Sequence, residues 1–351
     1  MADPDIDIEL LFTDPMQMRM ARRVYDAYPD FVPPQAETAA FPVLDLLHRT
    51  GIMRKRSRLA MLVSLLARLR TADAIVVPER TTTAIRHFLP SKTRLIFTPH
   101  GAGDRAITFD KRDRHFDFAL VAGPKSEERM LKDHTIRPRH YAVNGYIKAD
   151  LMQKLGVSPR PLLDNDRPTV LYVPHFRHSL SSWDRFGREV IDAFARQDRY
   201  NLVVAPHYRL FSDAPESERR AVEALSVPGK IIVDLRSDRL FDMSYTLAAN
   251  IYLGDVSSQV YEFLTIPRPC IFLDAHDTNW KGDPDYRFWT LGDVVNDTAD
   301  LMRALEVAPD RHPLYRDLQQ QALADSIGDN PSGAAARGAA AILKFLKAEK
   351  E

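Results

Sequence analysis

The chain has 351 residues, 45% hydrophobic and 27% charged, the composition of a globular protein too long for one ordinary core. Its 48 Lys and Arg balance 48 Asp and Glu, so overall charge gives no nucleic-acid binder and leaves that kind of partner to local clusters. The single cysteine, Cys270, excludes an intramolecular disulfide, and its apolar neighbours predict a buried thiol.

No apolar run approaches the ~20 residues needed to span a bilayer. The opening MADPDIDIEL lacks the basic-then-apolar pattern of a signal peptide. The expected location is cytoplasmic, or peripheral on the inner membrane face.

Short apolar runs alternate with amphipathic stretches, which predicts an α/β protein with helices covering parallel sheets. The first series of strands is expected at 6–12, 74–77, 94–98, 118–122 and 140–143, with a helix over 57–69. Residues 52–70, IMRKRSRLAMLVSLLARLR, hold Arg54, Lys55, Arg56, Arg58, Arg68 and Arg70 and no acid. Two readings stand side by side. One is a core helix with solvated ends. The other is a helix resting on an anionic leaflet, at roughly 1 kcal/mol per basic residue.

GVSPRPLLDNDRP at 156–168 reads as a linker. A second series of strands follows at 169–173, 202–205, 230–233, 251–253 and 270–273. The Ala-rich end, with Ile342, Leu343, Phe345 and Leu346, predicts a final helix. The expected organisation is an acceptor-side domain at 1–155, the linker, a nucleotide-donor domain at 169–330 and a C-terminal helix within 331–351. Two α/β domains of similar size direct attention to the cleft between them. Neither G-x-G-x-x-G after the first strand nor a P-loop is present.

A strand at 251–253, a helix at 257–265 and a strand at 270–273 make one βαβ unit, with Asp255, Ser257 and Ser258 beyond the first strand's carboxyl end. A helix N-terminus there attracts phosphate, and the serine hydroxyls add donors. Glu262 follows Ser258 at i+4, on one helix face, where a carboxylate can accept both hydroxyls of a ribose. That spacing suits a nucleoside diphosphate; plain helix capping by Asp and Ser is the alternative.

His175, Arg177 and His178 follow one strand, and His207 with Arg209 follow another, so two cationic groups can converge on a diphosphate. His100-Gly101 follow the strand at 94–98, pairing a base that titrates near neutrality with a residue that permits close backbone approach. Asp104 is an alternative base or an orienter of His100, and Arg105 a candidate phosphate partner. Asp274, His276 and Asp277 offer metal-ligand chemistry. The favoured reading there is a metal-free loop.

Taken together the segments resemble the CDP-glycerol glycerophosphotransferase family of wall teichoic acid polymerases. The resemblance rests on TPHG (98–101), FDFALVAGPKSEERM (116–130), YAVNGYIKADLM (141–152), VLYVPHFRHS (170–179), VVAPHYR (203–209) and GDVSS (254–258), then Glu262 and RPCIF (268–272). It spans most of 94–300. Departures include HGAGDR at 100–105, which lacks the family's Pro and Lys, Pro174-His-Phe176 in place of PTW, and Val256 in place of a tyrosine.

The resemblance implies a GT-B fold, two Rossmann-like domains facing a central cleft, with the last helix crossing back to the first domain. It implies no resident cofactor or metal. It further implies transfer of glycerol phosphate or a related polyol phosphate from a CDP-activated donor to a hydroxyl of a saccharide or lipid-linked acceptor, in cell-envelope polymer synthesis. His100 would be the base, with Asp104 beside it. Gly101, His175, Arg177, His207, Arg209, Asp255, Ser257, Ser258 and Glu262 would hold the nucleotide and its phosphates. A nucleotide-sugar glycosyltransferase, a UDP-sugar 2-epimerase and a non-catalytic nucleotide-binding scaffold remain as alternatives.

Overall fold

Apolar runs of three to five residues, bounded by Pro, Gly, Asp or Asn, are too short for helices that must bury a stripe and instead form strands. The computed structural model describes residues 6–26, 32, 35–50, 57–99, 101, 103, 110–328 and 332–348. A small parallel pair joins β1 (Glu9–Phe12) to β2 (Gln35–Thr38). A four-stranded parallel sheet follows in chain order: β3 (Ala74–Val77), β4 (Arg94–Phe97), β5 (Phe118–Val121) and β6 (Tyr141–Val143).

The larger parallel sheet contains β7 (Thr169–Val173), β8 (Asn201–Val204), β9 (Ile231–Val233), β10 (Ile251–Gly254), β11 (Cys270–Leu273) and β12 (Asp293–Val295). Its spatial order is β12-β11-β10-β7-β8-β9, a doubly wound arrangement that reverses between β7 and β10.

Helices cover both faces of this sheet, so its central strands are apolar throughout rather than alternating. All five residues of β7 are buried. Val170 and Tyr172 pack in one core with Phe186, Val190 and Phe194, whereas Leu171 and Val173 pack in another with Tyr261, Phe272 and Trp289. That is the two-residue period of a strand read from both sides. Each such aliphatic side chain contributes about 1.5–3 kcal/mol through burial.

Several contacts tie the four-stranded sheet to the rest. Helix Pro124–Lys132 packs on helix Arg316–Ile327. Gly123 permits that approach, because a Cβ there would lie 2.7 Å from the carbonyl oxygens of Asp325 and Ser326. Helix Ala334–Ala348 lies over β5 and β6, with Phe345 stacked on Phe118 at 4.7 Å. Asp150 holds its start by accepting the N–H groups of Gly333 and Ala335, each at 2.9 Å.

Some elements differ from expectation. The helix expected over 57–69 breaks at Leu65 into Arg58–Ser64 and Leu66–Leu69. The helix expected at 257–265 spans only Gln259–Phe263. β1 begins at Glu9 rather than residue 6, and β2 and β12 were not expected.

Candidate active site

The reversal of strand order places the loops leaving β7 and β10 on either side of a crevice, the usual ligand position in such sheets. Asp255 leaves β10 and is 1% exposed. Its Oδ1 accepts the N–H of His175 at 2.9 Å, and its Oδ2 accepts those of His175 at 3.1 Å and Ser182 at 2.6 Å. Its own carbonyl accepts Trp289 Nε1–H at 3.0 Å. Burial pushes the Asp255 carboxyl up to about 6, against the pull of these backbone donors. The side chain, expected among the phosphate-binding residues, is thereby bonded to both ends of the loop 175–182.

The loops after β7 and β8 converge on Phe176. His175 stacks on its ring at 4.5 Å, and His207 lies 4.6 Å from it. The guanidinium of Arg209 sits 4.4 Å from the same ring and that of Arg177 5.7 Å, both within cation–π range. In each histidine Nδ1 accepts a backbone N–H two residues on, from Arg177 and from Arg209. A neutral ring then carries its proton on Nε2. The two cationic groups read separately in the sequence thus form one cluster. His178 stands apart, bonded through Nδ1 to Asp184 on the surface.

Across the crevice, Ser257 is buried and its Oγ accepts Gln259 N–H at 3.3 Å, a capping role. Ser258 is exposed. A Cβ placed on Gly101 would lie 3.8 Å from Ser258 Oγ, so the turn after β4 reaches the crevice of the larger sheet. His100, Asp104 and Arg105 lie outside the described residues.

Glu262 is 7% exposed and engaged by the other side of the molecule. Its Oε1 accepts Tyr146 O–H at 2.8 Å and Lys148 Nζ at 2.7 Å, while Oε2 accepts Lys148 at 2.9 Å. Burial, with this carboxylate beside it, holds the Tyr146 hydroxyl well above its usual range, so it remains a donor. Sequence reasoning assigned no role to Tyr146 or Lys148. The signal available was their place in NGYIK, just after β6.

Glu262 also borders a narrow crevice against β7, about 10 Å³ and so of the size of one water, with Arg239, Met243, Thr246 and Gln259. Gln259 Oε1 is buried there without a hydrogen-bond partner among the described residues. Met243 enters this wall at φ +61°, a left-handed conformation uncommon for a side chain of its size.

A family model described as CDP-Glycerol:Poly(glycerophosphate) glycerophosphotransferase matches residues 76–327. The chain belongs to this family. It is accordingly a transferase. No curated protein matches it in sequence.

Among solved structures, a histidine variant of the wall teichoic acid polymerase TagF soaked with CDPG is 15% identical with a TM-score of 0.63. That likeness covers 99% of this chain and 90% of that one. The Staphylococcus aureus MnaA–UDP structure is 14% identical with a TM-score of 0.62, covering 97% of each chain. The Neisseria meningitidis UDP-GlcNAc 2-epimerase bound to UDP-GlcNAc is 14% identical with a TM-score of 0.59, covering 97% of this chain and 99% of that one. These likenesses establish the GT-B fold.

In this family member the side chains of the 274–277 loop are taken up by protein partners. Asp274 accepts the N–H groups of His276 and Thr278, His276 Nε2 meets the Ser181 carbonyl, and Asp277 faces Arg185. Among the described residues no three His, Cys, Asp or Glu side chains are grouped to hold a metal. Cys270 is buried, and burial pushes its thiol far up from its ordinary value.

Proposed function

We propose that the protein transfers glycerol phosphate, or a related polyol phosphate, from a CDP-linked donor to an acceptor hydroxyl during cell-envelope polymer synthesis. The observation that carries this reading is the approach of Gly101 to Ser258, with the Arg177–Arg209 cluster on the same carboxyl-terminal edge of the larger sheet. It brings Gly101, next in the chain to His100, close to Ser258 and the cationic cluster that this reading assigns to a diphosphate. In this reading Glu262, one helical turn beyond Ser258, meets the ribose.

In this scheme His100 takes the proton of the acceptor hydroxyl as its oxygen bonds to the donor's distal phosphorus. The anhydride bond breaks and CMP leaves with the electron pair. Arg177, Arg209 and Ser258 offset the charge that builds on the phosphates, a process in which positioning and electrostatics supply most of the catalysis. Asp255, through its hold on the loop, keeps His175 and the Arg177 backbone in register. Asp104 and Arg105, next to the same turn, would orient the base and meet phosphate.

The reading extends to location. Among the described residues no helix is long and apolar enough to cross a membrane. Leu59 and Val63 of one helix and Val43 and Leu46 of another are nonetheless exposed. Arg58 pairs with Glu79, and Arg68 with Glu9 and Glu37, so these two charges are balanced within the chain. Any attraction to an anionic leaflet then falls chiefly to Arg54, Lys55 and Arg56, outside the described residues, supported by the exposed apolar groups.

Incubation with CDP-glycerol and a hydroxyl-bearing acceptor tests the reaction. Acceptor-dependent CMP supports it. Release of a nucleoside diphosphate would mark a glycosyltransferase instead, and conversion of a nucleotide sugar without acceptor a 2-epimerase.

A further inference from the structure

We infer that Lys148 is a positioning residue that changes partner when donor binds, leaving Glu262 to the ribose and moving to the diphosphate. The inference rests on the donor-site reading above and adds a role for a residue of the opposite side of the cleft. A cis-diol meets a carboxylate with one hydroxyl on each oxygen, and each oxygen offers about two acceptor positions. Oε1 of Glu262 already accepts two bonds, from Tyr146 and Lys148. One of these donors must leave before a ribose can engage both oxygens.

Tyr146 is fixed by burial at 5% exposure, with its hydroxyl on Glu262 Oε1. The Lys148 side chain is 27% exposed, on a flexible four-carbon stem. Lys148 is therefore the donor that yields. Its ammonium, released from Glu262, is favoured to meet the other anion that the donor brings, its diphosphate. Ser258, the exposed hydroxyl facing Gly101, stands one helical turn from Glu262, about 5–6 Å away, and marks where a diphosphate would lie. Swinging to that position exchanges one charge-assisted contact for another while Tyr146 keeps Glu262 in place. In the free protein the same lysine joins the helix after β6 to Glu262 across the cleft.

Calorimetric titration of wild type, Lys148→Met and Lys148→Arg with CDP and with cytidine tests this. Lys148→Met should bind cytidine as tightly as wild type, or more tightly, since the carboxylate no longer has a competing cation. It should bind CDP at least about tenfold more weakly, the loss of one charge-assisted hydrogen bond. Lys148→Arg should restore most of the CDP affinity. Equal weakening of both ligands in Lys148→Met, as a purely structural tie would give, overturns the inference; so does unchanged CDP affinity. Should Lys148→Met fail to fold, Lys148→Arg and Glu262→Gln decide. Glu262→Gln should lose cytidine while keeping most of the phosphate-dependent part of CDP binding, and loss of both in equal measure overturns the exchange. Failure of wild type to bind either ligand overturns the donor site itself, a result distinct from selective failure of the variants.

Discussion

Asp255 and His175 are 80 positions apart in the chain, yet Asp255 receives the backbone N–H of His175 on both carboxylate oxygens, at 2.9 and 3.1 Å. With the third bond, from Ser182, this clamp joins the end of β10 to both ends of the loop that carries Phe176 and Arg177. Asp255→Ala leaves these buried donors unpaired. Each unpaired donor costs about 1–3 kcal/mol, so an overall loss of roughly 2–4 kcal/mol is expected in urea unfolding.

The same carboxyl gives a pH signature. Folding raises its pKa from 3.8 to about 6, so between those values the folded protein binds more protons than the unfolded chain. Its contribution to stability is full below about pH 4 and is lost as pH rises through about 6. At roughly 1.4 kcal/mol per pH unit the change is on the order of 3 kcal/mol. Unfolding midpoints of wild type and Asp255→Asn between pH 4 and 7 should differ in slope across that window. Parallel profiles would remove Asp255 as the cause.

Arg268 is a second buried anchor. Its guanidinium donates to the carbonyls of Thr246, Leu247, Ala249 and Phe263, and its Nε to Ile266, while stacking 3.9 Å over the Phe263 ring. It thus ties together the ends of the two short helices flanking β10. Burial lowers its pKa to about 10, which leaves it charged at neutral pH. Arg268→Met removes every donor at once and should lower stability by roughly 2–4 kcal/mol. An unchanged urea midpoint would show that water replaces these bonds.

The two serines should not contribute equally. Ser258 is exposed toward Gly101, whereas Ser257 is buried and caps Gln259. Ser258→Ala should weaken nucleoside diphosphate binding by about tenfold or more, one charge-assisted bond, with cytidine unaffected. Ser257→Ala should act mainly on thermal stability. The reverse ranking in calorimetry would put the phosphates elsewhere along β10.

For membrane contact, Arg54, Lys55 and Arg56 are the residues to replace together with Ser. About 1 kcal/mol per basic residue predicts loss of anionic-vesicle binding by roughly a hundredfold at low salt. Binding that survives the substitution, or is equal on neutral vesicles, contradicts a polybasic contact.

Much of the larger sheet was legible because its strands are buried on both faces. VLYV and CIFL are unbroken apolar runs too short for a helix and flanked by Pro174 and Pro269, and they match β7 and β11. β2 and β12 were not legible, since QAET is polar and DVV is three residues long at the sheet edge. Candidate residues could be picked out at strand ends for a related reason: a parallel sheet brings all carboxyl ends to one side. The Tyr146–Lys148–Glu262 contact could not be, because residues more than a hundred positions apart meet only through the packing of one sheet's helices on the other's. No local period reports that.

The central claim is acceptor-dependent transfer with His100 as base, and chromatographic measurement of CMP released from CDP-glycerol tests it most directly. Wild type should release CMP only when an acceptor hydroxyl is supplied. His100→Ala should bind CDP as wild type does and turn over about 10²- to 10⁴-fold more slowly, the range of a lost general base. CDP binding without CMP release by wild type, or undiminished release by His100→Ala, would contradict the account.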